Sequence, residues 1–368
     1  MEFTTETKSS LLKQLSPLPY PVYFVNKNAD KFGDLMNGSP LPSDLKPYYE
    51  KCIDGTDIWT VQTYLHLRQR GLNVHLVPDC IPNQICVVAY HHLFIRDMAF
   101  NSYVVACRLD SARPEICEQQ TVLNPTNVMS ETDHFMPHWP QPILKPRDRS
   151  RGAKVETLDF KGNTLNLAEP FRTDAFHQQL NDLGIRLVLD SANAADKSLS
   201  QYQSWGDYTQ SDVVLAVRNL TEYDFTLKPA IKLINAWHAG CPALLGVEPA
   251  YQAVRRSELD YIEVRTPDEA IAALSRLKNE PDLYNAMVEN GFKRAEEFST
   301  DRIAEQWRDL LANPIAKGYE RWLKQNFLQK LIIRPIQFAQ RTSRHKQQIQ
   351  HYFYHREHGV RPYGENKA

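Results

Sequence analysis

Short apolar runs and amphipathic stretches alternate along this chain. The run P-V-Y-F-V (21–25) reads as a buried strand, and a polar stretch with Pro and Gly follows from Asn26 to Asp57. A connection of that length carries function or small elements of its own. The segment I-W-T-V-Q-T-Y-L-H-L-R-Q-R-G predicts an amphipathic helix, with Ile58, Val61 and Leu65 on one face and Gly71 as the stop. Strands are predicted at 73–77, 85–90, 103–107 and 120–123. Residues 136–152 then place four prolines ahead of a charged cluster, the pattern of an extended linker. Beyond it the alternation restarts, with strands expected at 155–160, 185–189, 212–217, 242–246 and 261–264. Helices are expected at 171–182, 229–239, 267–278, 281–297 and 300–312. Continuously apolar strands alternating with helices imply parallel sheets covered on both faces. The fold class is therefore α/β, with two Rossmann-like parallel-sheet domains facing across a cleft and helices at the C-terminus. The expected boundaries are 1–150, 151–315 and a helical tail at 316–368, which either packs back on the first domain or serves another surface.

Composition narrows the class. The chain has 368 residues with 42% hydrophobic positions and a formal net charge of −1, so nothing points to nucleic acid. The charge is uneven, however: residues 317–368 carry 11 Lys and Arg against 3 Asp and Glu. None of the six cysteines forms a C-x-x-C pair, and Cys86, Cys107 and Cys241 lie in apolar runs. That usage fits a reducing compartment without a disulfide framework. The N-terminal residues show no signal-peptide pattern, and no apolar run reaches the roughly 20 residues of a membrane span. A cytoplasmic protein, at most peripheral to a membrane, is expected. The Asn219-Leu-Thr sequon carries no meaning in that setting.

The stretch T-L-K-P-A-I-K-L-I-N-A-W-H-A-G-C-P-A-L-L (226–245) reads as a helix with an apolar stripe of Ala230, Leu233, Ile234 and Trp237, a stop at Gly240 and a buried strand. Pro229 is expected in its first turn. Lys228 and Lys232 stand at its N-terminal end, which is already positive and disfavours a cation by roughly 0.3–1 kcal/mol. Either both ammonium groups are solvated, or an anion lies between them and the helix N–H groups. The preceding strand places this end at the carboxyl edge of the second sheet, where open parallel sheets bind ligands. Arg218 ends that strand and brings a third cation.

The run S-D-V-V-L-A-V-R, followed by K-P-A-I-K-L-I-N-A-W-H-A-G-C-P-A-L-L-G and E-P-A-Y, resembles the donor-binding segment of GT-B glycosyltransferases, which use nucleotide sugars. The later strand, helix, N-E-P-D-L and closing helix are similar to the usual ending of that family. The resemblance covers residues 155–312 and extends to the first half only in architecture. It implies a metal-independent glycosyltransferase with a nucleoside diphosphate sugar of the UDP or GDP type as donor substrate and no further cofactor. Its acceptor would be a carbohydrate or a lipid-linked molecule. By this resemblance Lys232 contacts the donor diphosphate, Lys228 and Arg218 assist, and the turn carrying Gly162 and Asn163 approaches the same phosphates. Gly162 is otherwise an ordinary strand-to-helix turn. Many retaining members carry two glutamates eight positions apart where this chain has Leu227 and Asn235. The ribose contact then falls to Asn235 itself or to Glu248. A sugar-nucleotide 2-epimerase of the same fold and a non-catalytic GT-B-like binding subunit are the alternatives.

The acceptor side offers fewer marks. Asp57, in D-G-T-D (54–57), is a candidate base for an acceptor hydroxyl or a plain helix N-cap. His91, beside His92 after the strand at 85–90, is a candidate base or acceptor ligand, or a structural histidine. His134 and His138 flank the linker. No His, Cys and Asp cluster has metal-ligand spacing, so no metal is expected. The tail segment F-L-Q-K-L-I-I-R-P-I-Q-F-A-Q-R (327–341) reads as a helix crossing back onto the first domain or as a basic amphipathic surface making peripheral contact with anionic lipid.

Overall fold

The structure, a computed structural model, describes residues 12–38, 40–190 and 204–363. Among these residues two sheets form, and every strand pairing in them is parallel. The first contains β1 (Val22–Val25), β2 (Val74–Val77), β3 (Ile85–Ala89), β4 (Tyr103–Cys107), β5 (Gln119–Val122) and β6 (Asp133–Phe135), in the order β2-β1-β3-β4-β5-β6. The second contains β7 (Thr157–Lys161), β8 (Arg186–Asp190), β9 (Val213–Ala216), β10 (Ala243–Leu245) and β11 (Ile262–Glu263), in the order β11-β10-β9-β7-β8. The apolar runs become the inner strands because both faces are covered: β3, β4 and β9 are buried throughout. β6 escapes the sequence pattern because D-H-F has three residues and ends on an exposed Phe135.

The helix predicted from Ile58 begins earlier. Asp54 has an extended backbone and its carboxylate accepts from the Asp57 N–H at 2.9 Å, so Asp54 is the N-cap and Asp57 lies inside the first turn. The helix runs through 55–69 with one wide turn at Ile58–Gln62. The linker does not act as a free spacer. The buried Trp139 donates from Nε1 to Thr63 Oγ1 at 2.8 Å, and Gln141 N–H reaches Asn235 Oδ1 at 3.1 Å. Arg147 then ties down to Asp212 at 2.7 Å.

The chain returns to the first sheet sooner than 316. Helix Thr300–Leu310 places Ile303, Ala304 and Trp307 in the first core, where the Trp307 ring lies 5.8 Å from that of Trp59. The long helix Arg334–His358 follows the same side: Arg341 pairs with Glu118, and Tyr352 Oη donates to the Asp110 carbonyl at 3.2 Å. Its far end reaches the second sheet, where Arg356 pairs with Asp224 at 2.9 Å and Tyr363 Oη accepts from the Val247 N–H at 2.7 Å.

Candidate active site

The second sheet reverses its strand order between β7 and β9, since β7 leads outward to β8 while β9 leads the other way to β10 and β11. The crevice beyond the carboxyl ends of such strands is where a doubly wound sheet accepts a ligand. Lys161, Gly162 and Asn163 leave β7 at this point, and Arg218 follows β9. Helix Ile231–Ala239 brings Lys232 to the same place, with Lys228 just ahead of it. The helix starts two residues after Pro229, no side chain caps its start, and Gly240 closes it with a left-handed φ of 73°. These groups line a cavity of about 430 Å³ whose opposite wall comes from the first domain through Asp54, Gly55, Ile58, Asp110 and His138.

Each cation has a different partner. Arg218 is buried and grips Glu248 with both ends of its guanidinium, Nε to Oε1 at 2.8 Å and Nη2 to Oε2. Burial works against its charge, but the Glu248 carboxylate outweighs that and raises its pKa. Lys228 crosses the cleft to Asp110. Burial alone would push the Asp110 carboxyl up, and Lys228 instead pulls it down to about 2. Lys232 donates to the Lys161 carbonyl, a neutral partner. Burial, reinforced by the Arg218 charge, brings its pKa down to about 7. Gly162 fits against it with φ 155°, and a methyl group there would stand 3.1 Å from Lys232 Nζ. The arrangement is a concave site that gathers three cationic side chains, a glycine turn and a helix N-terminus on one wall, which suits a diphosphate.

No protein-family model matches the chain, and no curated protein is similar to it in sequence. Solved structures are similar in shape. Sucrose-phosphate synthase from Thermosynechococcus elongatus superposes with a TM-score of 0.51 at 12% identity, over 81% of this chain and 100% of that one. The fold is GT-B. Two further chains superpose less closely. Anabaena HepE in complex with UDP and glucose has a TM-score of 0.47 at 8% identity, over 79% of this chain and 99% of that one. The pneumococcal O-GlcNAc transferase GtfA in complex with UDP and GlcNAc has a TM-score of 0.44 at 12% identity, over 70% of this chain and 60% of that one.

The GT-B cleft gathers Gly162, Asn163, Arg218, Lys228, Lys232 and Asn235. It does not gather the other three candidates. Glu248 is fully buried behind Arg218 with both oxygens engaged, so it positions the guanidinium and does not reach a ribose. Asp57 points into the first domain, fully buried, where Lys31 and the Asn26 amide, at 3.1 Å, hold it. It is a structural carboxylate and not an acceptor base. Burial, with the neighbouring Asp54 charge, raises its pKa. His91 is exposed and meets Ser111 Oγ at 3.4 Å outside the cavity lining. His134 turns to Gln119 at 2.5 Å, whereas His138 lines the cavity. Asn235 faces the cavity but spends its Oδ1 on the linker N–H of Gln141. Sequence reasoning missed Asp54 and Asp110. D-G-T-D offers two aspartates to one cap, and only the backbone decides between them. Asp110 follows β4 by three residues, a carboxyl-edge position that marks it once the strand's end is known.

Proposed function

We propose that this chain is a glycosyltransferase that moves a sugar from a nucleoside diphosphate donor to an acceptor hydroxyl of a carbohydrate or a lipid-linked molecule. The observation that supports it best is the convergence of Lys232, Lys228, Arg218, the Gly162 turn and a helix start on one cavity wall, opposite carboxylates from the other domain. The departing diphosphate carries its charge to these donors, which are in place before the bond breaks. No metal is assigned a role. The acceptor hydroxyl gives its proton to Asp54, the exposed N-cap carboxylate on the opposite wall, as its oxygen bonds the anomeric carbon and the bond to the diphosphate oxygen breaks. Asp54 thus takes the part that the sequence pattern gave to Asp57.

Calorimetry with UDP, GDP and ADP tests the reading and selects the donor type. One of the three binds, Lys232→Ala weakens it at least about tenfold, and Asp54→Asn leaves that affinity unchanged while turnover falls. Binding by none of the three overturns the proposal. So does Lys232→Ala with unaltered affinity.

A further inference from the structure

The tail segment has a surface the cleft does not use. Phe327, Leu328, Leu331, Ile332, Ile333 and Ile336 are 78%, 57%, 60%, 47%, 38% and 53% exposed. The segment is not loose at its inner side. Arg334 is buried, stacks 3.4 Å over the Trp322 ring and donates to the Trp322 carbonyl at 2.7 Å. Phe338 meets the Phe100 ring at 5.6 Å. With that face anchored, Leu328, Ile332 and Ile336 repeat every four residues along the outside.

The outward line continues along helix Arg334–His358. At about 100° per residue, Gln340, Ser343, Gln347, Gln350 and Tyr354 all fall within about 40° of the direction of Ile336. All five are exposed, and none is charged. Arg344 and Lys346 lie about 80° to either side of that line, and both are exposed. Residues 321–356 contain eight Lys and Arg and no Asp or Glu. Arg334, Arg341 and Arg356 bond to partners within the protein, which leaves Arg321, Lys324, Arg344 and Lys346 exposed and Lys330 half-buried beside the apolar end.

An uncharged stripe with an apolar end and cations along both flanks has the form of a helix lying in a membrane interface. We propose that residues 327–354 dock on an anionic lipid surface, with the Phe327–Ile336 end buried among the acyl chains and the lysines and arginines on the headgroups. A second copy of the chain fits less well, because a two-fold contact through this stripe would set its cationic rim against itself. Among the described residues no helix is long and apolar enough to cross a membrane, so the contact is interfacial. The docking does not depend on the transferase reading. It does bring the cleft close to the lipid, since Tyr352 on the same helix touches the Asp110 carbonyl at the cavity wall.

The test is co-sedimentation of the full chain with vesicles of phosphatidylcholine alone and with phosphatidylglycerol added. The protein pellets with the anionic vesicles, weakly with the neutral ones, and less as salt rises. Leu328→Glu, Leu331→Glu and Ile332→Glu together weaken the anionic binding at least about tenfold, with an unchanged melting temperature because the side chains are exposed. Phe327→Trp, which keeps the surface apolar, gives a blue shift of the emission maximum on anionic vesicles. Failure to pellet with either vesicle, pelleting unaffected by the three glutamates, or a silent tryptophan each overturns the proposal. A solution dimer that the glutamates dissociate overturns it in favour of a contact between copies.

Discussion

On the proposed function, diphosphate binding in this cleft is expected to depend on pH through Lys232. Its ordinary pKa of 10.5 falls to about 7 in the cavity wall, because burial and the Arg218 charge disfavour the ammonium. A diphosphate beside it adds an opposite charge that outweighs both effects and raises the value again. Between the two values the free protein lacks a proton that the complex holds, so binding takes one up. Below pH 7 the ammonium is already present and the affinity is at its best. Above it, each pH unit weakens binding by up to about tenfold, about 1.4 kcal/mol. From pH 7.5 to 8.5 the dissociation constant of the nucleoside diphosphate rises about eightfold. This window lies above the second phosphate ionisation near pH 6, so the ligand's own charge hardly changes across it. Calorimetry at pH 8 in two buffers of different ionisation enthalpy counts the proton directly, with close to one taken up per diphosphate bound. Lys232→Arg, charged at every pH used, binds without proton uptake and with a flat profile. A flat wild-type profile, or an arginine variant with the wild-type slope, refutes the reasoning.

Three more substitutions follow from the same wall. Gly162→Ala puts a side chain on a φ of 155° and a methyl 3.1 Å from Lys232 Nζ; strain of about 1–3 kcal/mol is expected, with diphosphate affinity lower by tenfold or more, read by calorimetry and urea unfolding. Asp110→Asn releases Lys228 from a pair whose side chains are 21% and 41% exposed. A pair of that exposure is worth about 0.2–1 kcal/mol, so the diphosphate binds up to about fivefold tighter, and the gain shrinks with salt. Glu248→Ala leaves Arg218 buried without its partner and lowers stability by about 3–5 kcal/mol in urea unfolding, whereas Arg218→Met with Glu248→Leu recovers most of that and still weakens diphosphate binding.

The sheet strands were legible because burial on both faces writes them as unbroken apolar runs, from P-V-Y-F-V to D-V-V-L-A-V. The gathering of Lys228, Lys232 and Gly162 on one cavity wall was legible for a related reason: they are local marks at strand ends and a helix start, and strand order carries them to one edge. The opposite wall was not. Whether Asp54 or Asp57 faces the cleft turns on one capping hydrogen bond, and the helix starts at Gly55 because Asp54 makes it. Glu248 looked available because a sequence does not show that Arg218, thirty residues away, closes on it. The tail was half legible. Its charge and its apolar run could be read, but which side Arg334 would anchor, and so which residues would face outward, could not.

The chemistry of the three partners decides how the cleft responds to an anion. Arg218 and Glu248 form a buried bidentate pair, so their charges largely cancel and the guanidinium contributes shape and directed N–H groups. Lys228 is neutralised by Asp110, a carboxylate on the other domain and partly exposed, so a diphosphate can replace it at little cost. Lys232 has a carbonyl as its hydrogen-bond partner, and its charge follows the arrival of the anion. On the proposed function, diphosphate binding is therefore expected to protonate Lys232 on one wall and to unpair Asp110 on the other. An unpaired Asp110 no longer has the ammonium that held its carboxyl near 2, and it stands free on the side from which an acceptor approaches. The two walls would thereby be linked through the Lys228–Asp110 ion pair, and in the Asp110→Asn variant acceptor affinity is expected no longer to change when the diphosphate binds.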